Sequence, residues 1–117
     1  MTESMSDRDG LIWMNGKFVP WRDASVHVLT HTLHYGMGVF EGIRCYQIEN
    51  GGAVFRLEDH IERLFNSAKI FEIKIPHDEK SIHDAVLGLI MKNSLKSCYI
   101  RPLVFYGSEK MGLSTKG

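Results

Sequence analysis

Two cysteines, Cys45 and Cys98, carry all the thiol chemistry of these 117 residues. They stand far apart and without C-x-x-C spacing, which argues against a disulfide framework and fits free thiols in a reducing cytosol. Net charge is missing too: 14 basic residues balance 14 acidic ones, so there is no electrostatic reason to expect nucleic acid or an anionic membrane as partner. No apolar run approaches the ~20 residues that span a bilayer. The first ten residues, MTESMSDRDG, are polar and acidic and lack the apolar core of a secretory signal. They are expected as a disordered tail, 1–10. There is no G-x-G-x-x-G, no P-loop, no internal repeat and no low-complexity segment. What remains is ordinary for a globular chain of one domain, with 44% hydrophobic and 24% charged residues.

Against that background one stretch stands out, Val26 to Arg44, VHVLTHTLHYGMGVFEGIR. It holds three histidines, a tyrosine, three glycines, a phenylalanine, Glu41 and Arg44 in nineteen residues. Connectors rarely need that mixture. Glycine allows positive φ or a close approach to the backbone, and a glycine inside a strand often marks such an approach. The pattern reads as a glycine-hinged start to a strand that lines a site.

Periodicity sets the elements around it. Asn15-Gly16 between LIWM and FVPW predicts a β-hairpin with a two-residue loop over Leu11 to Trp21, with Pro20 ending its second strand. Thr30 is placed to cap a short helix reaching Gly36. Val39 to Ile48 reads as one strand, paired with Ala53 to Arg56 across a turn at residues 49–52. Leu57, Ile61, Leu64, Phe65, Ala68 and Phe71 share one helical face. Ser81 and Asp84 resemble a capping box for a second helix with Ile82, Ala85, Val86, Leu89 and Ile90 inward and Asn93 at its end. Cys98 to Tyr106 reads as the last strand. Strands and helices in runs predict an α+β fold, a mostly antiparallel sheet with two amphipathic helices on one face. The other sheet face is then covered by something else or exposed.

Several residues invite a chemical reading. Strand alternation groups Tyr99, Arg101, Leu103 and Phe105 on one face of the last strand, and the same alternation groups Phe40, Gly42, Arg44, Tyr46 and Ile48 in the earlier strand. An arginine among apolar neighbours needs an anion or an opening to water. Arg101 is thus either a cation reaching solvent along its stem or a carboxylate-binding arginine whose planar fork suits that partner. Phe40 and Tyr46 read as core from pattern alone. Arg63, on the polar side of the first amphipathic helix, reads as a solvated residue, paired with Asp59 one turn earlier. His27, His31 and His34 have the spacing of a zinc set only on a continuous helix. The extended look of Val26 to Leu29 and the lack of a completing ligand favour satisfied, partly buried histidines and no metal.

The blocks IWMNGKFVPWRDASVHVL, THTLHYGMGVFEGIRCY, VFRLEDHIERLFNSAKI and SCYIRPLVFYG, in this order, resemble the branched-chain amino-acid aminotransferases, members of the fold-type IV enzymes that use pyridoxal 5′-phosphate. The resemblance covers nearly everything from Leu11 to Gly107. It implies a transaminase acting on leucine, isoleucine or valine with 2-oxoglutarate and glutamate, in the cytoplasm, as a homo-oligomer. It implies that Arg63 contacts the cofactor phosphate. Phe40, Gly42, Arg44, Tyr99 and Arg101 would line the substrate site, and Tyr35 would reach the active site of a partner subunit. Family members are more than twice this long, and their cofactor-holding lysine lies in a C-terminal domain. Residues 11–107 are therefore expected to form an N-terminal α+β domain, and 108–117 the start of an interdomain linker. The 117 residues alone are expected to be inactive, with no catalytic residue among them. Two other readings stand beside this one: a D-amino-acid aminotransferase or aminodeoxychorismate lyase of the same fold type, and a stand-alone α+β binding module.

Overall fold

Asn15 and Gly16 both take positive φ, 52° and 91°, as a two-residue type I′ loop requires. They join strand β1, Leu11–Met14, to strand β2, Lys17–Pro20, with Met14 opposite Lys17 and Leu11 opposite Pro20. The structure is a computed structural model that describes residues 4–49 and 51–107. The expected linker at 108–117 lies outside the described residues, as do residues 1–3 of the expected tail. Residues 4–10 run beside a 3-10 turn at Trp21–Asp23. There the Trp21 indole donates to the Met5 carbonyl at 2.7 Å, and Arg22 pairs with Asp7 and Asp9.

Helix α1, His31–Tyr35, ends at Gly36 in the left-handed region. Thr30 precedes it as expected, yet its hydroxyl does not cap the helix; it donates to the His27 carbonyl at 2.6 Å instead. Thr32 ties α1 to Tyr106. Its hydroxyl accepts from the Tyr106 N–H at 2.8 Å and donates to the Met37 carbonyl at 2.6 Å.

The two long strands expected from the pattern are each split. Strands β3, Gly38–Phe40, and β4, Ile43–Ile48, are interrupted at Glu41-Gly42, while β6, Cys98–Ile100, and β7, Leu103–Phe105, are interrupted at Arg101-Pro102. The two breaks face each other: Phe40 pairs with Leu103 and Ile43 with Ile100, leaving two residues on each side. Pro102 has no N–H to give a ladder, but its carbonyl still accepts from the Glu41 N–H at 3.2 Å. The register therefore runs unchanged through the interruption, and so does the alternation. Val39, Glu41, Ile43 and Cys45 are buried, whereas Phe40, Arg44 and Tyr46 are exposed and Gly42 is half-buried. Strand β5, Gly51–Val54, pairs with β4 on its other edge and lies two residues earlier than expected. All strand pairings among the described residues are antiparallel.

Helix α2, Leu57–Ile70, buries Leu57, Ile61, Leu64 and Ala68. Phe71 falls just past its end and is half exposed. Helix α3, Glu79–Lys92, begins before the expected capping box: the cap is Asp78, whose carboxylate accepts the Ser81 N–H at 2.8 Å. Asp84 instead pairs with Lys80 one turn away. Both helices lie on the buried side of the strands, with Ile43, Cys45, Leu57, Ile61, Ile82, Val86 and Ile100 in one core. A second core joins Val39, Leu64, Ala68, Ile73 and Tyr106. Among the described residues the opposite face of the β3–β7 and β4–β6 pairs has no such cover. No helix among them is long and apolar enough to cross a membrane.

Candidate functional site

The uncovered face gathers five of the candidate residues. Gly42 comes so close to Tyr99 that a β-carbon there would collide with the Tyr99 hydroxyl. Arg101 donates through Nη2 to that hydroxyl at 3.2 Å. Its guanidinium also lies 4.6 Å from the centroid of the Phe40 ring and 5.5 Å from that of Tyr99, within the range of cation–π attraction. Arg44 is the cross-strand partner of Tyr99. The fold thus gathers Phe40, Gly42, Arg44, Tyr99 and Arg101 on one surface. Arg101 solves its charge problem by opening to water, and two aromatic rings hold it in place. Phe40 and Tyr46, which pattern alone reads as core, are more than half exposed.

Arg63 belongs to a different cluster. It lies on α2 and reaches Glu41, which sits at the strand interruption with its side chain on the helix side. Arg63 donates from Nε to both carboxylate oxygens at 3.1 and 3.0 Å, and from Nη2 to Oε1 at 2.8 Å. His60, one helical turn earlier, places Nδ1 2.9 Å from the same Oε1. The Arg63 bonds hold the Glu41 carboxyl below the usual carboxylate range; burial opposes this, and His60 adds to it. An ionised carboxylate only accepts, so Nδ1 of His60 carries the proton. The expected pairing of Arg63 with Asp59 is not formed, because Arg56 takes Asp59 at 2.7 Å. Glu41 itself was missed as a site residue by sequence reasoning. Its partners are 19 and 22 residues away, and helical or strand periodicity cannot pair residues across two elements.

No hydrogen bond or ring contact among the described residues joins Arg63 to the Phe40–Tyr99–Arg101 surface. The two clusters meet only through the backbone at Glu41-Gly42. Tyr35 stands apart from both: it is exposed and packs on His31, ring centroids 4.5 Å apart. His31 is buried, and its Nδ1 lacks a hydrogen-bond partner, unlike the satisfied histidine expected. His27 accepts from the Leu29 N–H, and His34 bonds the Val28 carbonyl, while the rings of His31 and His34 both lie against Tyr35.

Comparison with known proteins points one way. The model of the amino-transferase class IV family matches residues 38–117. The chain is 57% identical to the branched-chain-amino-acid aminotransferase of Pseudomonas aeruginosa over 97% of its own length and 37% of that protein. With the enzyme of the same name from Escherichia coli it shares 48% identity over 88% of its length and 33% of the relative. The chain thus spans little more than a third of the curated relatives it matches. Among solved structures, the branched-chain aminotransferase of the archaeon Thermoproteus uzoniensis, determined with norvaline, superposes with a TM-score of 0.84. It is 38% identical, with 94% of this chain and 37% of that one covered.

Proposed function

The chain belongs to the class IV aminotransferases, and on that footing we propose that it is the N-terminal domain, residues 11–107, of a branched-chain amino-acid transaminase. The reaction moves the amino group of leucine, isoleucine or valine to 2-oxoglutarate. Pyridoxal 5′-phosphate, when bound, serves as the electron sink for that transfer. The cofactor would be held by a second domain. The observation that carries this reading is the mixed surface at the strand interruption. Phe40 and Tyr99 offer apolar contact to an aliphatic side chain, and Arg101 between them offers a fork for a carboxylate.

Arg63 fits a phosphate. Its side chain is 68% exposed, and two of its nitrogens bind Glu41 while Nη1 has no partner among the described residues. Charge and paired N–H groups suit phosphate oxygens. Tyr35, exposed and remote from the other residues, serves the active site of a second subunit, so the working form is at least a dimer. Cys45 and Cys98 are free thiols that face each other across β4 and β6, and the cytoplasmic setting rests on the family resemblance alone.

The test uses the native gene product that contains this chain. Incubated with pyridoxal 5′-phosphate, leucine and 2-oxoglutarate, it should form glutamate. D-Alanine in place of leucine should give no transfer. Transfer from D-alanine and none from leucine would move the protein to the D-amino-acid enzymes; no transfer from either would reject the transaminase.

A further inference from the structure

We propose that Glu41 is a positioning residue for anion binding: its carboxylate fixes the guanidinium of Arg63 so that the Nη1 edge is presented to a phosphate. The inference rests on the proposed assignment of Arg63 to the cofactor phosphate and assigns the residue that makes the assignment work. Glu41 is an unusual residue for its place. It is a carboxylate with 6% of its side chain exposed, at the break between β3 and β4, where the neighbouring inward positions are Val39 and Ile43. Burying that charge is costly unless it is paired and hydrogen-bonded, and here it receives bonds from two side chains of α2.

The partner is placed the other way round. Arg63 is mostly exposed, so it does not need Glu41 to compensate a buried charge. A long exposed arginine would otherwise sample many rotamers and lose that freedom on binding. A guanidinium has two usable edges. Glu41 occupies the Nε/Nη2 edge side-on, which fixes the plane of the group and leaves the Nη1 edge for a second bidentate partner. His60 bonds the oxygen shared with Arg63 and so restrains the carboxylate in turn. The pairing also sets a charge balance. Glu41 cancels the long-range attraction of Arg63, so the gain at a phosphate must come from directed hydrogen bonds. A salt bridge that only ties α2 to the β3–β4 strand would have no effect that depends on a phosphate.

That difference is measurable as the dissociation constants of pyridoxal 5′-phosphate and of pyridoxal, which lacks the phosphate, for the cofactor-free gene product, followed by absorbance. Glu41→Gln should weaken the phosphate ester by about 10-fold, the lower end of the loss seen when an outer partner of a metal-binding residue is removed, and leave pyridoxal unchanged. Glu41→Asp, which keeps the charge and shortens the reach, should show a smaller loss of the same selectivity. Arg63→Ala should abolish the preference for the phosphate, and adding Glu41→Gln to it should cost nothing more. The proposal is overturned if Glu41→Gln binds the phosphate ester as the parent does or more tightly, loses both ligands alike, or adds to Arg63→Ala. If Glu41→Gln does not fold, Glu41→Asp decides, and an unchanged affinity in that variant overturns the proposal. A preference that survives Arg63→Ala rejects the Arg63 assignment together with this inference. A parent protein that binds neither ligand rejects the transaminase reading itself, so the three failures are told apart.

Discussion

The Tyr99 hydroxyl occupies the space in which a side chain at Gly42 would begin. Gly42 lies at the break between β3 and β4, Tyr99 in β6, the strand paired with β4, and the closeness requires glycine for room and not for backbone freedom. Gly42→Ala must therefore push Tyr99 aside. Because Tyr99 is half exposed, its ring can swing outward at small cost, and the thermal midpoint should fall by no more than a few degrees. Misplacing a substrate-contacting group by about an ångström can cost up to ~100-fold. Steady-state kinetics of the gene product with leucine should show kcat/KM lowered by roughly 10- to 100-fold, and unchanged kinetics would remove Tyr99 from the substrate wall.

Glu41 makes a prediction for pH. Its native carboxyl titrates below the ordinary value of 4.5, chiefly through Arg63. The unfolded chain then binds its proton at a higher pH than the native one, so stability rises with pH in this window. The contribution is complete above about pH 4.5 and is lost as pH falls through the native value. Asp78 and Asp84 are lowered as well, so the comparison must be with a variant. Thermal midpoints measured from pH 7 to pH 3 should fall less steeply in Glu41→Gln than in the parent; parallel slopes would contradict the ionised pair.

Asn93 should matter more than a helix-ending residue usually does. Its Oδ1 accepts the Leu11 N–H at 2.7 Å, and its Nδ2 donates to the carbonyls of Leu11 and Leu89 at 3.0 and 2.9 Å. One side chain thereby joins β1 to the end of α3. Asn93→Ala strands a part-buried N–H, a cost of about 1–3 kcal/mol, and a domain of this size loses roughly 4–8 °C per kcal/mol. Asn93→Asp keeps the acceptor and loses both donations, so its midpoint should lie between the two in a thermal melt.

The uncovered strand face carries Phe40, Tyr99 and Leu103, each more than half exposed. An apolar patch of several hundred Å2 favours association. Expressed as these 117 residues, the protein should sediment faster as its concentration rises and should bind a hydrophobic dye. A strictly monomeric, dye-negative chain would mean that the face is covered in solution.

How far the sequence reached can be judged at particular residues. The Asn15-Gly16 turn was legible because only a few residue types take positive φ twice in succession. Helix α2 was legible because four buried residues recur at helical spacing. The face on which Phe40, Gly42, Tyr99 and Arg101 lie was also legible, since alternation survives the strand breaks. The breaks were not read, although Pro102 announced one of them by lacking an N–H. The partners of Arg63 and Glu41 were hidden for a different reason. Asp59, one turn away on the same helix, is the local choice for Arg63, and the pairing that forms depends on how α2 crosses β3. The cap of α3 was misplaced because Ser81 and Asp84 imitate a capping box, while Asp78 binds the Ser81 N–H itself.

The central claim is that one surface accepts both an aliphatic side chain and a carboxylate, with Arg101 reserved for the second. An apolar wall alone would reject the carboxylate, since desolvating an unpaired charge is too costly. Arg101 lies against Phe40 and Tyr99, where it can meet the side-chain carboxylate of glutamate or stay hydrated beside leucine. The direct measurement is single-turnover conversion of the bound cofactor by each amino acid separately, in the gene product and in Arg101→Leu. Charge-assisted hydrogen bonds contribute roughly 1.5–3 kcal/mol, so kcat/KM for glutamate should fall about 10- to 150-fold, at ~1.4 kcal/mol per decade. Leucine should change by only a few fold. Equal losses for the two amino acids would contradict the account, because Arg101 would then serve a feature common to both substrates.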